Sequence, residues 1–190
     1  GFLSALLDGE LIFFNHEAVH SPHKKPSTVP QVLDICHKIR ASGGTSLASA
    51  LGYYFQRKIW LDAVVLVTDE EENTAWSGRL FAKLFQEYQA TVNPEVKLVV
   101  VCVGCGDRAF RSSLAQYGIE HNTVHIDNAR PDLTKFDALI GDIAYNCMGL
   151  TLEGGGGKDD TPVEDDSTKD VEMDTCGEAV VAGDDFVVID

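Results

Sequence analysis

Two kinds of apolar pattern alternate along this sequence. Continuous runs of branched apolar residues at 62–68 and 97–103 are typical of strands that are buried on both faces of a parallel sheet. Apolar residues spaced three and four positions apart predict helices at 29–40, 45–58, 78–90, 107–117 and 133–148. Weaker extended segments are predicted at 10–15, 17–20 and 121–126. The first residues of the sequence, before the Asp8-Gly9 turn, are predicted to be the end of a helix. Alternating strands and helices of this length predict an α/β protein with a doubly wound, mostly parallel sheet and helices on both faces.

The C-terminal segment differs from the rest of the chain in composition. Residues 151–190 contain 13 acidic residues and two lysines, and four consecutive glycines at 154–157 open the segment. So few large apolar residues cannot bury enough surface to offset the entropy lost on ordering. We therefore expect a partial domain over residues 1–150 and an acidic, glycine-rich, disordered tail over residues 151–190. The exception within the tail is a β-prone apolar quartet, Phe186-Val187-Val188-Ile189.

Charge and cysteine content narrow the class of protein. The chain carries a formal net charge of −15, which argues against a nucleic-acid-binding surface on this segment. Its five cysteines are an odd number and widely scattered, so they do not form a disulfide framework. We therefore expect a reducing intracellular compartment, the cytoplasm or the nucleus. No apolar run in the sequence is long enough to span a membrane, and we expect no membrane partner.

A candidate binding site lies where the first long apolar run stops at a carboxylate. Asp69 directly follows the predicted strand at 62–68. Ligands of open α/β sheets bind beyond the carboxyl ends of the strands, so Asp69 stands where a site is expected. The three glutamates that come next, at 70–72, are predicted to form a solvated loop tip rather than to bind a ligand.

A companion for Asp69 is predicted in a glycine turn that leads into a helix. Gly43 and Gly44 precede Thr45, and glycine lets the backbone turn sharply and approach other groups closely. Taken alone, the pattern also fits a plain helix start with Thr45 or Ser46 as its cap. Both interpretations remain open on the residues themselves.

Three segments of the sequence resemble a von Willebrand factor A domain. They are Phe13-Phe14-Asn15-His16-Glu17-Ala18-Val19, Gly43-Gly44-Thr45 and Val65-Leu66-Val67-Thr68-Asp69-Glu70-Glu71-Glu72-Asn73-Thr74. Within that superfamily the sequence resembles the C-terminal half of the Ro ribonucleoprotein autoantigen and its TROVE-bearing relatives. The resemblance covers most of residues 1–150 and none of the tail.

The resemblance implies a metal-ion-dependent adhesion site and no enzymatic activity. Thr45 would supply a hydroxyl and Asp69 a carboxylate to Mg²⁺, with Mn²⁺ or Ca²⁺ as alternatives, because hard cations prefer oxygen ligands. An acidic residue of a protein ligand would complete the metal shell. The resemblance further implies an RNA-binding ribonucleoprotein whose RNA contacts lie in a region upstream of this chain.

One part of the family's pattern is missing from the sequence. The Asp-x-Ser-x-Ser motif of the first strand, which supplies an aspartate and two serines to the metal, occurs nowhere in the chain. In the family that strand lies at the centre of the sheet, between the strands predicted here at 10–15 and 62–68. Its absence predicts two unpaired strand edges within the core. We therefore expect this sequence to be part of a longer protein and to begin inside the first helix of the domain. If the sequence were the complete molecule, its metal site would be degenerate.

Two other functions compete with the binding module. The quartet at 186–189, with acids on both sides, resembles short motifs that bind ubiquitin-like modifiers by adding a strand to a sheet edge. A metal-dependent phosphoryl-transfer enzyme would need a second carboxylate and a lysine, which are not identifiable. The spacing of Cys102 and Cys105 is that of a redox motif, but Cys102 lies inside an apolar strand, so two ordinary thiols are the better prediction.

Overall fold

The computed structural model describes residues 1–40, 43–104, 108–126, 138, 140, 141, 143, 145 and 186–189. The helices with complete bounds are α1 (Phe2–Leu6), α2 (Val29–Lys38), α3 (Leu47–Arg57), α4 (Phe81–Thr91) and α5 (Arg108–Gln116). The strands are β1 (Glu10–Phe14), β2 (Ala18–His20), β3 (Ala63–Thr68), β4 (Lys97–Val103), β5 (Asn122–Ile126) and β6 (Phe186–Ile189). From α1 to β5, each element lies within a few residues of the bounds that the apolar pattern predicts.

The strands form one mixed sheet in the order β2-β1-β6-β3-β4-β5. β2 runs antiparallel to β1, and the other neighbouring pairs are parallel. The longest pairing joins β3 to β4, from Ala63 opposite Lys97 to Thr68 opposite Cys102. Parallel neighbours require a crossover connection, and α4 and α5 supply the crossovers from β3 to β4 and from β4 to β5. The prediction of an α/β protein with a mostly parallel sheet is confirmed.

Alternate residues of β3 serve two separate apolar cores, one on each face of the sheet. Val64 lies in one core with Phe85 of α4, and Val65 lies in the other with Ile35 of α2. All four side chains are almost completely buried. Burying a side chain of this size stabilises the fold by roughly 1.5–3 kcal/mol, so both layers of helices are held firmly to the sheet. Helices cover both faces, as the pattern predicts.

Only part of the predicted closing helix falls within the described residues. Residues 138, 140, 141, 143 and 145 are helical, and Ile143 is fully buried in the same core as Ile35. The other residues of the predicted helix at 133–148 lie outside the described part of the chain, and so do residues 151–185 and 190 of the tail predicted over residues 151–190. Among the helices that the structure does describe, none combines the length and the apolar character needed to cross a bilayer.

The centre of the sheet is filled by the C-terminal strand. Val188 of β6 lies opposite Leu11 of β1 on one side and opposite Val65 of β3 on the other, with all three strands parallel. The prediction of unpaired edges facing each other between β1 and β3 is therefore wrong for this structure. The physical reason is that the quartet at 186–189 is β-prone and apolar, and the central position gives its backbone hydrogen-bonding partners on two sides.

β6 fills only part of the space between its two neighbours. Its last residue, Ile189, pairs with Ile12 in β1 and with Leu66 in β3. Both neighbouring strands continue beyond this level, to Phe14 and to Thr68. No described strand lies between these two strand ends, and a cleft opens there.

Candidate functional site

A cleft of about 390 Å³ lies at the carboxyl ends of β1 and β3. Its apolar lining residues are Phe13, Phe14, Val19, Ile39 and Val67. Its polar lining residues are Asn15, Arg40, Thr45, Thr68 and Asp69. The structure thus brings together the two residues predicted as metal ligands, Thr45 and Asp69, at the edge where open parallel sheets bind their ligands.

The backbone of Thr45 is held by the loop after β3. The Thr45 amide donates a hydrogen bond to Asn73 Oδ1 at 2.8 Å. In return, the amides of Asn73 and Thr74 both donate to the Thr45 carbonyl oxygen at 3.0 Å. Each such bond has a net value of about 1 kcal/mol. The two motifs that the sequence singles out, the glycine turn and the loop after the strand, therefore form one structural unit.

Both glycines before Thr45 are needed for this close approach. Gly43 has a φ of +80°, a left-handed conformation that other residues disfavour, and a Cβ there would lie 2.9 Å from His16 Nδ1. A Cβ on Gly44 would lie 2.5 Å from Thr74 Oγ1 and 3.0 Å from Asn73 Oδ1. A side chain at position 44 would therefore push away the residues that hold Thr45.

Asp69 is an exposed residue in the first turn after β3. Its Oδ1 accepts a hydrogen bond from the Glu71 amide at 3.1 Å, and Thr68 Oγ1 accepts one from the Glu70 amide at 3.0 Å. Side-chain turns of this kind set the direction of the backbone locally. The Glu71 amide uses one acceptor position of the Asp69 carboxylate, which has further acceptor positions for a ligand in the cleft.

Glu72 caps two helices at once, a role that its sequence context does not predict. Its Oε1 accepts hydrogen bonds from the Ala48 amide in α3 and the Phe81 amide in α4, both at 3.1 Å. The Phe81 amide also lies 2.9 Å from Oε2. Helix amino termini favour a carboxylate because their N–H groups lack partners within the helix. Burial nevertheless raises the pKa of Glu72 to about 6, because the charged form loses water.

The simpler interpretation of the glycine turn, a side-chain cap, is not what the structure shows. Ser46 occupies the N-cap position of α3 but makes no side-chain capping bond. Its Oγ is buried and has no hydrogen-bond partner among the described residues. Glu72 performs the capping instead, from the loop after β3.

The prediction that Glu70 lies in a solvated loop tip is wrong. The Glu70 side chain is fully buried, and its Oε2 accepts hydrogen bonds from Arg111 Nε at 2.9 Å and Nη2 at 2.8 Å. A guanidinium that donates twice to a carboxylate offsets part of the cost of taking that charge out of water. Glu70 also has a φ of +67°, which is uncommon for a residue with a side chain. The loop is therefore anchored from α5.

Cys102 is a buried thiol of β4. Burial, with the neighbouring Glu70 charge as a further cause, raises the pKa of the Cys102 thiol to about 11. Redox and nucleophilic chemistry needs the thiolate, which such a pKa suppresses at neutral pH. Cys105, the other residue of the predicted pair, lies outside the described residues.

The cleft contains oxygen donors of the kind that bind divalent cations. Mg²⁺ prefers oxygen ligands, keeps several waters and is commonly held by one or two carboxylates. Thr45 and Asp69 provide a hydroxyl and a carboxylate, whereas Asn15 Oδ1 already accepts a bond from the Glu17 amide at 2.9 Å. Within the described part of the chain, no group of three or more His, Cys, Asp or Glu residues is placed to hold a metal ion. A cation here would depend on water and on a ligand for most of its shell.

Arg40 lines the cleft and Asn73 contacts Thr45, and neither residue is predicted from the sequence to take part in the site. Arg40 follows α2 and adds positive charge to the cleft. Asn73 positions Thr45 through its side chain. The only sequence signal for Asn73 is that it lies in the third of the similar segments; Arg40 has none, because an exposed arginine after a helix is common.

No protein-family model matches this sequence, and no curated protein matches it either. The class that the structure defines is a mixed α/β domain whose parallel sheet is flanked by helices, compatible with a Rossmann-like fold. The site at its carboxyl edge consists of oxygen donors on two loops that hydrogen bonds join.

Proposed function

We propose that this chain is a non-enzymatic binding module of the von Willebrand factor A type, in which a divalent cation captures a carboxylate of a protein ligand. The observation that carries the proposal is that Thr45 and Asp69, from separate segments of the chain, line one cleft. Strand order also supports it. The chain crosses from β1 and β2 on one side of β6 to β3, β4 and β5 on the other, and the cleft lies at this change of side, where open α/β sheets bind their ligands.

Each polar residue of the cleft has one task in this proposal. Asp69 holds the cation through its carboxylate, directly or through a water, and Thr45 adds a hydroxyl oxygen. The cation, Mg²⁺ with Mn²⁺ or Ca²⁺ as alternatives, supplies exchangeable water positions that a carboxylate of the ligand replaces. Arg40 attracts the same carboxylate and favours acidic ligands over basic ones. Phe13 and Ile39 offer apolar contact beside it.

We propose RNA binding only for a longer protein of the TROVE type that would contain this chain. The repeats that contact RNA would lie upstream of this chain, in an intracellular ribonucleoprotein. The net charge of −15 opposes contact between this segment and a phosphate backbone. We assign protein contacts, and not RNA contacts, to the segment itself.

Calorimetric titration with Mg²⁺, Mn²⁺ and Ca²⁺ tests the proposal. We expect binding to the unaltered chain and loss of binding in Asp69→Asn and Thr45→Val. Asn at position 69 keeps the acceptor for the Glu71 amide, so the turn survives while the charge is removed. Glu71→Gln is the matched control, since it removes an equal charge two residues away and outside the cleft lining. Two results would contradict the proposal. One is cation binding that persists in both Asp69→Asn and Thr45→Val, and the other is that the unaltered chain binds none of the three cations.

The alternative is an adaptor whose residues 186–189 bind a ubiquitin-like modifier. Binding by strand addition uses the backbone groups that β6 presents to β1 and β3, so β6 would have to leave the sheet. The alternative therefore predicts that a modifier binds a synthetic peptide of residues 184–190 more tightly than it binds the folded chain. Fluorescence anisotropy of the labelled modifier measures both. No binding to the free peptide would exclude the adaptor.

A further inference from the structure

Apolar side chains of the sheet become accessible in the cleft at the level where β6 ends. Along β1, Ile12 is fully buried beside Ile189 of β6, whereas the next residue, Phe13, is partly exposed. Along β3, Leu66 is fully buried beside the same residue of β6, and Val67 is partly exposed. Both residues line the cleft, so the apolar surface of these two strands is open to a ligand.

Four of the apolar lining residues lie together on the side of the sheet that α2 covers. Phe13 lies directly opposite Val19 of β2, and opposite residues of an antiparallel pair share a face. Phe13 and Val67 pack against the core that contains Ile35 of α2, and so does Ile39, the residue that follows this helix. We call the four lining residues the apolar wall: Phe13, Val19, Ile39 and Val67.

Charged residues follow the apolar wall directly along the chain. Arg40 is exposed and comes next after Ile39, and Asp69 is exposed and comes two residues after Val67. Successive Cα atoms are about 3.8 Å apart, so both charged positions lie within about 8 Å of the wall along the backbone. A ligand that uses the whole cleft must therefore carry a carboxylate and an apolar group close to each other.

The C-terminal residue of a peptide meets this condition better than an internal acidic residue does. An internal aspartate or glutamate brings a carboxylate on one or two methylenes and leaves the apolar wall uncovered. A C-terminal residue carries its α-carboxylate and its side chain on the same Cα atom. A large apolar side chain at that position covers the wall while the carboxylate meets the charged residues.

The width of the gap between β1 and β3 also favours a chain end. Both strands are neighbours of β6, and neighbouring strands lie about 4.8 Å apart, so β1 and β3 are roughly 10 Å apart. This space admits one extended chain and not a loop that enters and leaves. β6 occupies the gap as far as Ile189, so a ligand chain has to enter from the open side with its end first.

The volume of the cleft fits a single terminal residue. It is about 390 Å³, which equals the volume of about 13 water molecules in the liquid. Such a volume holds one residue with a branched or aromatic side chain together with the waters of a cation, and it lies at the lower end of ligand-sized cavities.

We propose that the cleft captures the C-terminal residue of a protein ligand. The α-carboxylate lies on the cation and against Arg40, and an apolar side chain such as that of leucine or phenylalanine lies against the apolar wall. This inference rests on the proposed function, because it names the carboxylate that the cation at Asp69 and Thr45 binds. It assigns the carboxylate to a chain end and not to an internal acidic residue.

Four N-acetylated pentapeptides, titrated into the ¹⁵N-labelled chain in the presence of Mg²⁺, test the inference. The first ends in leucine with a free carboxylate, and the second is its C-terminal amide. The third ends in glycine with a free carboxylate, and the fourth has an internal aspartate and an amidated end. Changes in the amide chemical shifts of Ile39, Arg40 and Val67 measure binding.

We expect the leucine peptide with the free carboxylate to bind with a dissociation constant of about 0.1 to 1 mM, as suits a contact of one residue. The other three peptides should bind at least about tenfold more weakly, because the amides at the chain end lack the terminal charge and glycine lacks the apolar side chain. Equal affinity of the leucine and glycine peptides would overturn the proposal. An internal-aspartate peptide that binds as tightly as the leucine peptide would also overturn it.

Variants separate the two kinds of contact. Arg40→Gln should weaken binding of the leucine peptide about tenfold, and Arg57→Gln is the matched control, because Arg57 is exposed and does not line the cleft. Ile39→Ser should reduce the preference for leucine over glycine, and Leu33→Ser is its control, because Leu33 is an exposed apolar residue of α2 outside the lining. An unchanged preference in folded Ile39→Ser would overturn the proposal. If that variant does not fold, the leucine-to-glycine ratio of the unaltered chain decides.

The cation and the peptide are measured separately, so this inference and the proposed function can fail independently. Mg²⁺ binding without a preference for the leucine peptide contradicts the inference and leaves the proposed function intact. Leucine-peptide binding that is equal in Mg²⁺ and in EDTA, and that is lost in Arg40→Gln, contradicts the proposed function and supports the chain end as the ligand. Absence of both kinds of binding overturns both.

Discussion

The Thr45 amide donates a hydrogen bond to Asn73 Oδ1 at 2.8 Å, and this contact joins the turn before α3 to the loop after β3. The same oxygen accepts a bond from the Thr74 hydroxyl at 2.9 Å. We expect Asn73→Ala to lower the free energy of unfolding by about 1 to 2 kcal/mol, because two bonds lose their acceptor. Urea unfolding measures the loss, and amide hydrogen exchange at Thr45 should become faster.

Asn73→Asp is the matched control for this prediction. Aspartate keeps an oxygen at the Oδ1 position, and both bonds use that oxygen as an acceptor. We expect most of the stability to be retained. An equal loss in the alanine and aspartate variants would show that the two bonds do not hold the loops together.

Glu72 should make stability depend on pH in a defined direction. Its pKa rises from the ordinary value of 4.5 to about 6 in the folded chain, so the folded state holds the proton more tightly than the unfolded state. The stability that protonated Glu72 contributes is fully present below pH 4.5 and is lost as the pH rises through about 6. Glu72→Gln should remove this falling component, and Glu71→Gln should keep it. Urea unfolding across this pH range provides the comparison; a difference between wild type and Glu72→Gln that does not change with pH would refute it.

Removing one partner of the Glu70–Arg111 pair should destabilise the fold more than removing both partners. Arg111→Met leaves a buried carboxylate without its partner, and we expect a loss of about 3 to 5 kcal/mol in the free energy of unfolding. In the double variant Glu70→Gln and Arg111→Met no buried charge remains, so the loss should be smaller than in Arg111→Met alone. A double variant that is less stable than either single variant would contradict this account.

β6 should stabilise the sheet from its centre. Val188→Pro removes a backbone N–H from a strand paired on both sides, and we expect a loss of at least about 2 kcal/mol together with a lower melting temperature. Val181→Pro is the control, because position 181 lies in the segment that composition predicts to be disordered. Equal stability of the two variants, measured by thermal unfolding, would mean that the pairing of β6 does not contribute.

Cys36 and Cys102 should differ in reactivity. Cys36 is exposed, whereas Cys102 is buried with a thiol pKa of about 11. The thiolate is the reactive form, so iodoacetamide at pH 8 should alkylate Cys36 and leave Cys102 largely unmodified until the chain unfolds. Peptide mass spectrometry with and without urea gives the two rates. Rapid alkylation of Cys102 in the native chain would contradict this prediction and would support a function that uses the thiol.

The elements from α1 to β5 could be predicted from the sequence, because their patterns are local. A continuous apolar run such as 97–103 has to be buried on both faces, and β4 has those same bounds. Thr45 and Asp69 could also be predicted as site residues. Asp69 directly follows a strand at the carboxyl edge of the sheet, Thr45 follows the glycine turn of a segment that resembles a known family, and the structure places both in one cleft.

Tertiary structure alone decided the roles of Glu70 and Glu72 and the place of β6. The three consecutive glutamates at 70–72 look equally solvated in the sequence. In the structure Glu70 is buried and paired with Arg111, and Glu72 accepts hydrogen bonds from the amides of Ala48 and Phe81. The quartet at 186–189 was recognisable as β-prone, but its position between β1 and β3 depends on strands more than a hundred residues away. Local patterns determine which segments are strands and helices. Partners distant in sequence determine which strands pair and which charges are buried, because those free energies exist only after the chain has folded.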